Sequence, residues 1–279
     1  MKTLILNSSN VVPGSFNSKY KLNVSGAILE TGDKMAIHSI MIPYSWFNIS
    51  NNYNNNFFYY IMNGVTYKID LGNQFLTTED INSILQYNLY SNGHYLVDSN
   101  LVNWYPIEIM TNINKYSIQI NCYRIPSTLQ SQWTNPGNVF YNTITSVQAL
   151  PQVQIPETDI TKIFGLNAGI YPSLNTVIAP YSKISDYTPN LSPVNTILVK
   201  CNLANNEYMN PSDIIYSFTP NNVSFGSNIV VEAKSFAFIN TKTGTISDIV
   251  ITFVDQNLNA IQMQDKNLCI QLLIKSKDE

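Results

Sequence analysis

Phe57-Phe58-Tyr59-Tyr60-Ile61-Met62-Asn63-Gly64-Val65-Thr66-Tyr67-Lys68-Ile69-Asp70-Leu71 is the stretch from which the fold class follows. Two apolar runs flank Asn63-Gly64. That pair is the strongest short-range hairpin signal, because a two-residue type I′ loop needs positive φ at both positions. After the turn, Val65, Tyr67, Ile69 and Leu71 alternate with Thr66, Lys68 and Asp70. A period of two places the four apolar side chains on one face of a strand. The same alternation recurs outward from this hairpin. Tyr20, Leu22, Val24 and Ile28 interleave with Lys21, Asn23 and Ser25, and Tyr116, Ile118, Ile120 and Cys122 with Ser117, Gln119 and Asn121. Ile249, Ile251 and Phe253 interleave with Asp248, Val250 and Thr252, and Leu268, Ile270, Leu272 and Ile274 make one more face. Less regular runs at 35–42, 106–110, 197–203, 213–218 and 229–239 bring the expected strands to about ten or eleven.

Only two helices are expected. Thr77-Thr78-Glu79-Asp80 offers a hydroxyl cap followed by first-turn acids. Ile81, Ile84, Leu85 and Leu89 then form a helical stripe that stops before Gly93. A shorter helix is expected over 158–164, ended by Gly165. Thr31-Gly32-Asp33 and Asp255-Gln256-Asn257 read as turns. With only 11 glycines among 279 residues, asparagine is expected to fill many left-handed positions. Region 125–195 differs from its flanks: it holds eight of the 13 prolines (Pro126, Pro136, Pro151, Pro156, Pro172, Pro180, Pro189 and Pro193). Proline removes a ladder donor and is excluded from central strands. The region therefore reads as a long loop or surface elaboration, or alternatively as a small inserted domain.

Composition narrows the function. Charged residues are 12 % of the chain, about half the usual share, whereas 44 % are hydrophobic, so the chain is globular and not disordered. Of the 15 basic residues 14 are lysine, and Arg124 is the one arginine. The net charge is −3 and there is no basic run, which argues against sequence-specific nucleic-acid binding. No apolar stretch approaches the length of a membrane span, and the apolar Leu4-Ile5-Leu6 is too short for a signal peptide. Cys122, Cys201 and Cys269 are widely spaced, as expected of free thiols in a reducing compartment. The 38 asparagines accompany an excess of Ile, Lys, Tyr and Phe, the residues of A/T-rich codons, so the excess reads as genome composition and is given no chemical role.

Candidate chemistry is sparse. A nucleophile triad needs a histidine base, and only His38, in a strand, and His94, after a turn, are available. Three cysteines and two histidines, all far apart, do not make a zinc site. Asp255-x-Asn257-x-Asn259 opens like an EF-hand loop, but Ala260 and Lys266 occupy the positions that need Gly and Glu. No phosphate-binding glycine motif occurs. Paired carboxylates for glycoside chemistry would have to come from Glu79, Asp80, Glu108 or Asp255; helix capping accounts for the first two. Sequons at Asn7, Asn23, Asn48, Asn190 and Asn222 are no more than the roughly six expected by chance. Catalytic, cofactor-binding and metal residues are accordingly none, and the chain is expected not to be an enzyme. The most distinctive segment is the aromatic stretch at 44–60, with Trp46 at its head. It could bind sugars or stack bases. The plainer alternative is a connection whose aromatics anchor it in the core.

Many short strands, one or two helices and long polar loops indicate an all-β sandwich or barrel; eight or more strands with distant connections suit a single jelly-roll sandwich of about 8–11 strands, one domain over 1–279, with 125–195 as a long loop or insertion. The order of motifs goes further. Gly32-Asp33-Lys34 leads into a strand, then Tyr44-Ser45-Trp46 and Asn48-Ile49, the Asn-rich loop, the aromatic strand at 57–61 and Tyr67-Lys68-Ile69. Asp80-Ile81-Asn82 and Tyr116-Ser117-Ile118-Gln119-Ile120 follow. Then come Phe164-Gly165-Leu166, Gly169-x-Tyr171-Pro172, Ser192-Pro193-Val194, Phe225-Gly226 and the hairpin at 249–274 around Asp255-Gln256. This ordered set, which covers nearly the whole chain, resembles the penton (minor capsid) proteins of virophages and Polinton-like viruses, the Mavirus type in particular.

The resemblance implies a jelly roll that assembles as a homo-pentamer at icosahedral vertices, with the major capsid protein of the same virus as partner. It implies a virion location after synthesis in the host-cell cytoplasm or a virus factory. It brings no catalytic residues and no cofactor. A fivefold ring is heterologous and closed, so two different side surfaces must match. Residues 1–16 and 125–195, which lack strand periodicity, are the expected contact segments. The competing reading is a carbohydrate-binding or host-attachment β-module using 44–60. A β-fold hydrolase is a weaker one. A major capsid protein with a double jelly roll would need about twice these strands.

Overall fold

The computed structural model describes residues 1–124, 131, 133–136, 150–174, 179–221 and 223–277. Packing divides the chain into two compact units, Met1–Trp46 with Ser192–Glu279, and Phe47–Leu191 between them in sequence.

The first unit contains β1 (Lys2–Asn7), β2 (Lys19–Leu29), β3 (Lys34–Pro43), β13 (Ile197–Cys201), β14 (Ile214–Phe218), β15 (Asn228–Glu232), β16 (Ile239–Asn240), β17 (Gly244–Val254) and β18 (Cys269–Lys275). Two sheets result. One has the order β1-β18-β3-β15, with the short β16 also paired to β3; the other has the order β14-β13-β17-β2. All pairings are antiparallel. Setting β16 aside, the strands number one to eight along the chain. The first sheet then reads 1-8-3-6 and the second 5-4-7-2, which is the double Greek key of a jelly roll. The fold is all-β and a jelly roll, as the alternation in the sequence predicted.

Each sheet buries one face. Leu6, Ile40, Ile42, Ile270 and Leu272 of the first sheet are buried, as are Tyr20, Ile197, Val199, Ile249, Ile251 and Phe253 of the second. Tyr20 meets Phe253 edge-on at 6.3 Å. Its hydroxyl donates to the Lys266 carbonyl at 3.2 Å. Burial, with the Asp265 carboxylate nearby, pushes that phenol up to about 12.

Residues 1–16 differ from expectation. Read as lacking strand periodicity, they contain β1, the outer strand of the first sheet, in register with β18 from Lys2↔Ile274 to Asn7↔Cys269. Its pattern is hard to see because only Leu4 and Leu6 turn inward, and Ile5, between them, is exposed on the other face.

The second unit is built from β4 (Phe57–Met62), β5 (Val65–Asp70), α1 (Thr78–Ser91), β6 (Leu96–Val97), β7 (Asn103–Trp104), β8 (Ile107–Asn112), β9 (Ser117–Cys122), β10 (Gln152–Ile155), α2 (Ile160–Phe164), β11 (Gly169–Tyr171) and β12 (Tyr181–Ile184). Its sheets are β11-β10-β4-β5, β12-β9-β8 and the pair β6-β7. The Asn63-Gly64 turn is as read, with φ of 51° and 76°. Thr77 and Asp80 form a reciprocal capping box at the start of α1. Gly165 ends α2 at φ 64°, and a Cβ there would press on the Tyr187 carbonyl oxygen. Among the described residues asparagine takes three of the seven positive-φ positions not held by glycine (Asn17, Asn54 and Asn63), so most of the described asparagines serve another purpose.

Much of 125–149 lies outside the described residues, as do Pro126 and the sequon at Asn222. The described remainder of 125–195 contributes α2, where the sequence placed a short helix, and β10, β11 and β12, three strands that the proline content concealed.

Candidate functional site

The two histidines occupy opposite environments. His94 is 3 % exposed. The Tyr60 hydroxyl accepts from Asn92 Nδ2 at 2.9 Å and lies 3.1 Å from His94 Nδ1. Tyr67 stacks on Tyr60 at 4.8 Å and meets His94 edge-on at 5.0 Å. Burial lowers the His94 pKa to about 4 and raises that of Tyr60. A neutral imidazole caged by phenols is a core component of this unit. His38 is exposed on β3 and stacks on Phe236 at 5.6 Å.

The four carboxylates each have a local structural partner. Glu79 Oε1 accepts from the Thr111 hydroxyl at 3.0 Å. Asp80 accepts from the Thr77 amide and hydroxyl. Glu108 accepts from Tyr123 at 2.8 Å, and burial together with that carboxylate pushes the Tyr123 phenol up to about 12. Asp255 Oδ1 accepts from the amides of Asn257 and Asn259, an Asx turn. Glu79, Asp80 and Glu108 belong to the second unit and Asp255 to the first. Cys122 and Cys201 are buried free thiols, pushed up to about 12 and about 11 by desolvation. Among the described residues, no three His, Cys, Asp or Glu side chains are grouped to hold a metal ion. No helix among the described residues is long and apolar enough to cross a membrane.

The aromatic stretch at 44–60 is divided: half of its rings are core, Trp46 at its head among them, while Phe47, Tyr53, Phe57 and Tyr59 are half-buried. Tyr44, Trp46, Phe58 and Tyr60 are all buried, Trp46 to 1 % exposure. Tyr44 and Trp46 lie 4.4 Å apart in the first unit, and Trp46 bridges to Met263. In the second unit Phe58 meets Phe164 edge-on at 5.3 Å.

The asparagines of this stretch do structural work that composition could not reveal. Asn48, 1 % exposed, donates to the carbonyls of Leu76 (2.7 Å) and Leu191 (2.9 Å) and accepts from the Leu76 amide (2.8 Å). One side chain thus ties the first residues of the second unit to its last. Asn55 donates to the Asn48 carbonyl and accepts from the Ser50 amide; Asn56 donates to Asn51. Amides serve here because each carries donor and acceptor together and can close a loop's orphan backbone groups without charge. The sequon at Asn48 is sequestered by these bonds.

What the molecule presents outward is sheet edge and scattered apolar side chains. β1 and β15 border the first sheet; β2 and β14 border the second. Ile5 and Val230 are exposed on the first sheet, and Ile28 near the end of β2. Tyr208, 95 % exposed, and Met209 lie between β13 and β14; Ile113 and Tyr116 cap the β8–β9 hairpin. An open cleft of about 540 Å³, as apolar as it is polar, lies where 52–54 meet 157–161, and Lys162 neutralises Asp159 at 2.9 Å. Unpaired edges and mixed polar–apolar surfaces are suited to contacts between proteins.

No protein-family model and no curated protein matches the sequence. Over the structure, the chain is similar to the mavirus penton protein, known from a crystal structure of its SeMet-labeled form. The TM-score is 0.47 at 9 % identity, covering 99 % of this chain and 100 % of that one. It is also similar to a chain in the 3.5 Å cryo-EM structure of the Sputnik virophage. There the TM-score is 0.38 at 13 % identity, covering 100 % of this chain and 99 % of that one.

Proposed function

We propose that this chain is a structural capsid protein, a penton-type subunit that closes a ring of five at the vertices of a virophage-like virion. The observation that carries the reading is the eight-strand order, 1-8-3-6 over 5-4-7-2, with a second unit of 145 residues placed between the third and fourth strands. A jelly roll is a fold of viral capsids and of lectins. The ordered sequence motifs that resemble virophage pentons support the first. The burial of Tyr44, Trp46, Phe58 and Tyr60 weighs against the second, because it withdraws half of the aromatic rings of 44–60, Trp46 included, from a sugar. In this reading residues 1–279 act as one capsid domain, 125–195 belong to its elaboration, and the chain is not an enzyme. Its partners are four further copies of itself and the major capsid protein of the same virus. It is made in the host-cell cytoplasm or virus factory and ends in the virion.

A ring of five is heterologous: one flank of each subunit meets a different flank of the next. The sandwich offers two dissimilar borders, β1 with β15 and β2 with β14. Native mass spectrometry over a range of concentration and salt tests the reading. A species of about 158 kDa, five copies of the 31.5 kDa chain, is the expected result. A trimer would favour an attachment module. A monomer that also fails to enter shells of the cognate major capsid protein would overturn the capsid reading.

A further inference from the structure

The borders of the two sheets are protected differently. In the second sheet the β13–β14 ladder shifts register between Val199 and Lys200, and the β2–β17 ladder between Ile246 and Asp248. The outer side of β2 is also taken at its start. Val11 bridges to Tyr20, the Val12 amide donates to the Lys19 carbonyl, and Asn10 Nδ2 donates to the Lys21 carbonyl. Bulges and covering segments are how proteins blunt sheet edges. The first sheet has neither device among the described residues. β1 keeps an unbroken register with β18 over Lys2–Asn7, and β15 with β3 over Asn228–Glu232. No described segment pairs with the outer side of β1 or of β15. Each of these strands carries an exposed apolar residue, Ile5 at 52 % and Val230 at 62 %.

The two edges also match each other. Ile270 stands opposite both Leu6 and Ile40, and Ile40 opposite Val231, so Leu6 and Val231 share the inner face. By alternation Leu4 and Ile229 join them there, while Thr3, Ile5, Asn7, Asn228, Val230 and Glu232 face outward. Leu4 and Val231 are only half-buried, although their side of the sheet is the core. Strand direction alternates across β1, β18, β3 and β15, so the two edges run oppositely. A second copy, turned about an axis along the strands, therefore brings its β1 antiparallel to β15. One register joins apolar to apolar on both faces: Leu6 with Ile229, Ile5 with Val230 and Leu4 with Val231, flanked by Asn7 with Asn228 and Thr3 with Glu232. A slip of two residues would set Ile5 against Asn228 or Glu232, and a slip of one would turn the apolar side chains to the wrong face.

We propose that β15 of one copy pairs with β1 of the next, extending the first sheet from subunit to subunit. The contact is heterologous, as a closed ring requires, because the two strands that meet are different. It completes the burial of Leu4 and Val231, covers Ile5 and Val230, and satisfies the outer backbone groups of both edges at once. The pairing rests on the ring reading above and adds to it the strands, the register and the faces that meet.

Disulfide mapping in a Cys269→Ser background reads the register. Ile5→Cys/Val230→Cys alters directly opposed residues, whose Cβ atoms lie about 5 Å apart in an antiparallel pair. Oxidation, in solution or on shells of the cognate major capsid protein, should link copies covalently up to the pentamer on a non-reducing gel. Ile5→Cys/Glu232→Cys, displaced to the diagonal position, should link at least about five-fold less. Charge reads the strength of the contact. Ile5→Lys and Val230→Lys should each raise the concentration for half-assembly, or for half-occupancy of shells, by about ten-fold or more, and Ile5→Glu/Val230→Lys should restore it. Ile28→Lys, at an exposed position on β2, should assemble as the parent does. All these positions are exposed, so each variant should melt within about 2 °C of its parent, which separates lost assembly from lost folding. Rings that persist in both lysine variants, no cross-link from Ile5→Cys/Val230→Cys, equal linking by the two cysteine pairs, or an equal loss in Ile28→Lys would each overturn the pairing and leave the ring standing. A parent chain that neither assembles nor enters shells would overturn the ring reading, and the pairing with it.

Discussion

The jelly-roll unit and the unit inserted in it solve the same problem with different means. The first buries two long alternating faces against each other. Its strands reach 11 residues and its backbone groups are satisfied by ladders between strands far apart in sequence. The second has strands of six residues or fewer, one long helix and a core drawn from every part of 47–191: Ile49, Phe58, Ile69, Ile81, Leu85, Ile109, Ile120, Val153 and Phe164 among others. Short strands leave more loop backbone to satisfy. The unit does it with side-chain amides, Asn48 above all, and with the phenol–imidazole cage around His94. Where ladders are long, apolar burial suffices to hold the fold; where they are short, specific polar groups must close the gaps, and each becomes a point of failure.

The contrast is broken most strongly by Phe253→Ala. The side chain is fully buried in the jelly roll, and its loss should cost about 4 kcal/mol. Hydrogen exchange by mass spectrometry should show faster exchange in β2, β13 and β17 while β8 and β9 stay protected. Asn48→Ala should reverse that pattern. It removes three hydrogen bonds and strands the Leu76 amide, a cost of about 3 kcal/mol that should appear in 47–191. Equal loss of protection in both units by either variant would dissolve the distinction. The finest probe is pH. His94 is protonated at about pH 4 in the folded chain and near 6.5 when unfolded. The unfolded state therefore binds the extra proton first. Stability is complete above about 6.5 and is lost as pH falls toward 4, by about 2 kcal/mol at pH 5. Denaturant melts of His94→Asn, followed through the second unit, should lack that slope between pH 6.5 and 4.

Strands were legible wherever burial alternates cleanly. The runs around Tyr20, Val65, Ile118, Ile251 and Ile270 are all strands, and the capping box at Thr77 and the stop at Gly165 are where local chemistry placed them. β1 escaped because Ile5 is exposed between inward leucines. β10, β11 and β12 escaped because prolines surround them without entering them. Pairing across the chain was less legible than the strands themselves. Lys34 and Lys275 are 241 positions apart, and nothing in either neighbourhood records that they face each other. Asn48 looked like one more residue of a biased composition, since its partners Leu76 and Leu191 are equally remote.

By itself, then, the amino-acid sequence determined which segments extend, which face of each is apolar and where turns and caps fall. These properties follow from side-chain period and local backbone preference, so a window of ten residues contains them. Only the tertiary structure decided that β3 pairs with β18 and not with the nearer β2. It likewise decided that 145 residues form a unit with its own core before the sheet resumes at β13, and that Lys34 and Lys275 stand opposite each other. Pairing between distant strands is selected by the total burial of the finished sandwich, a global quantity that no local pattern encodes.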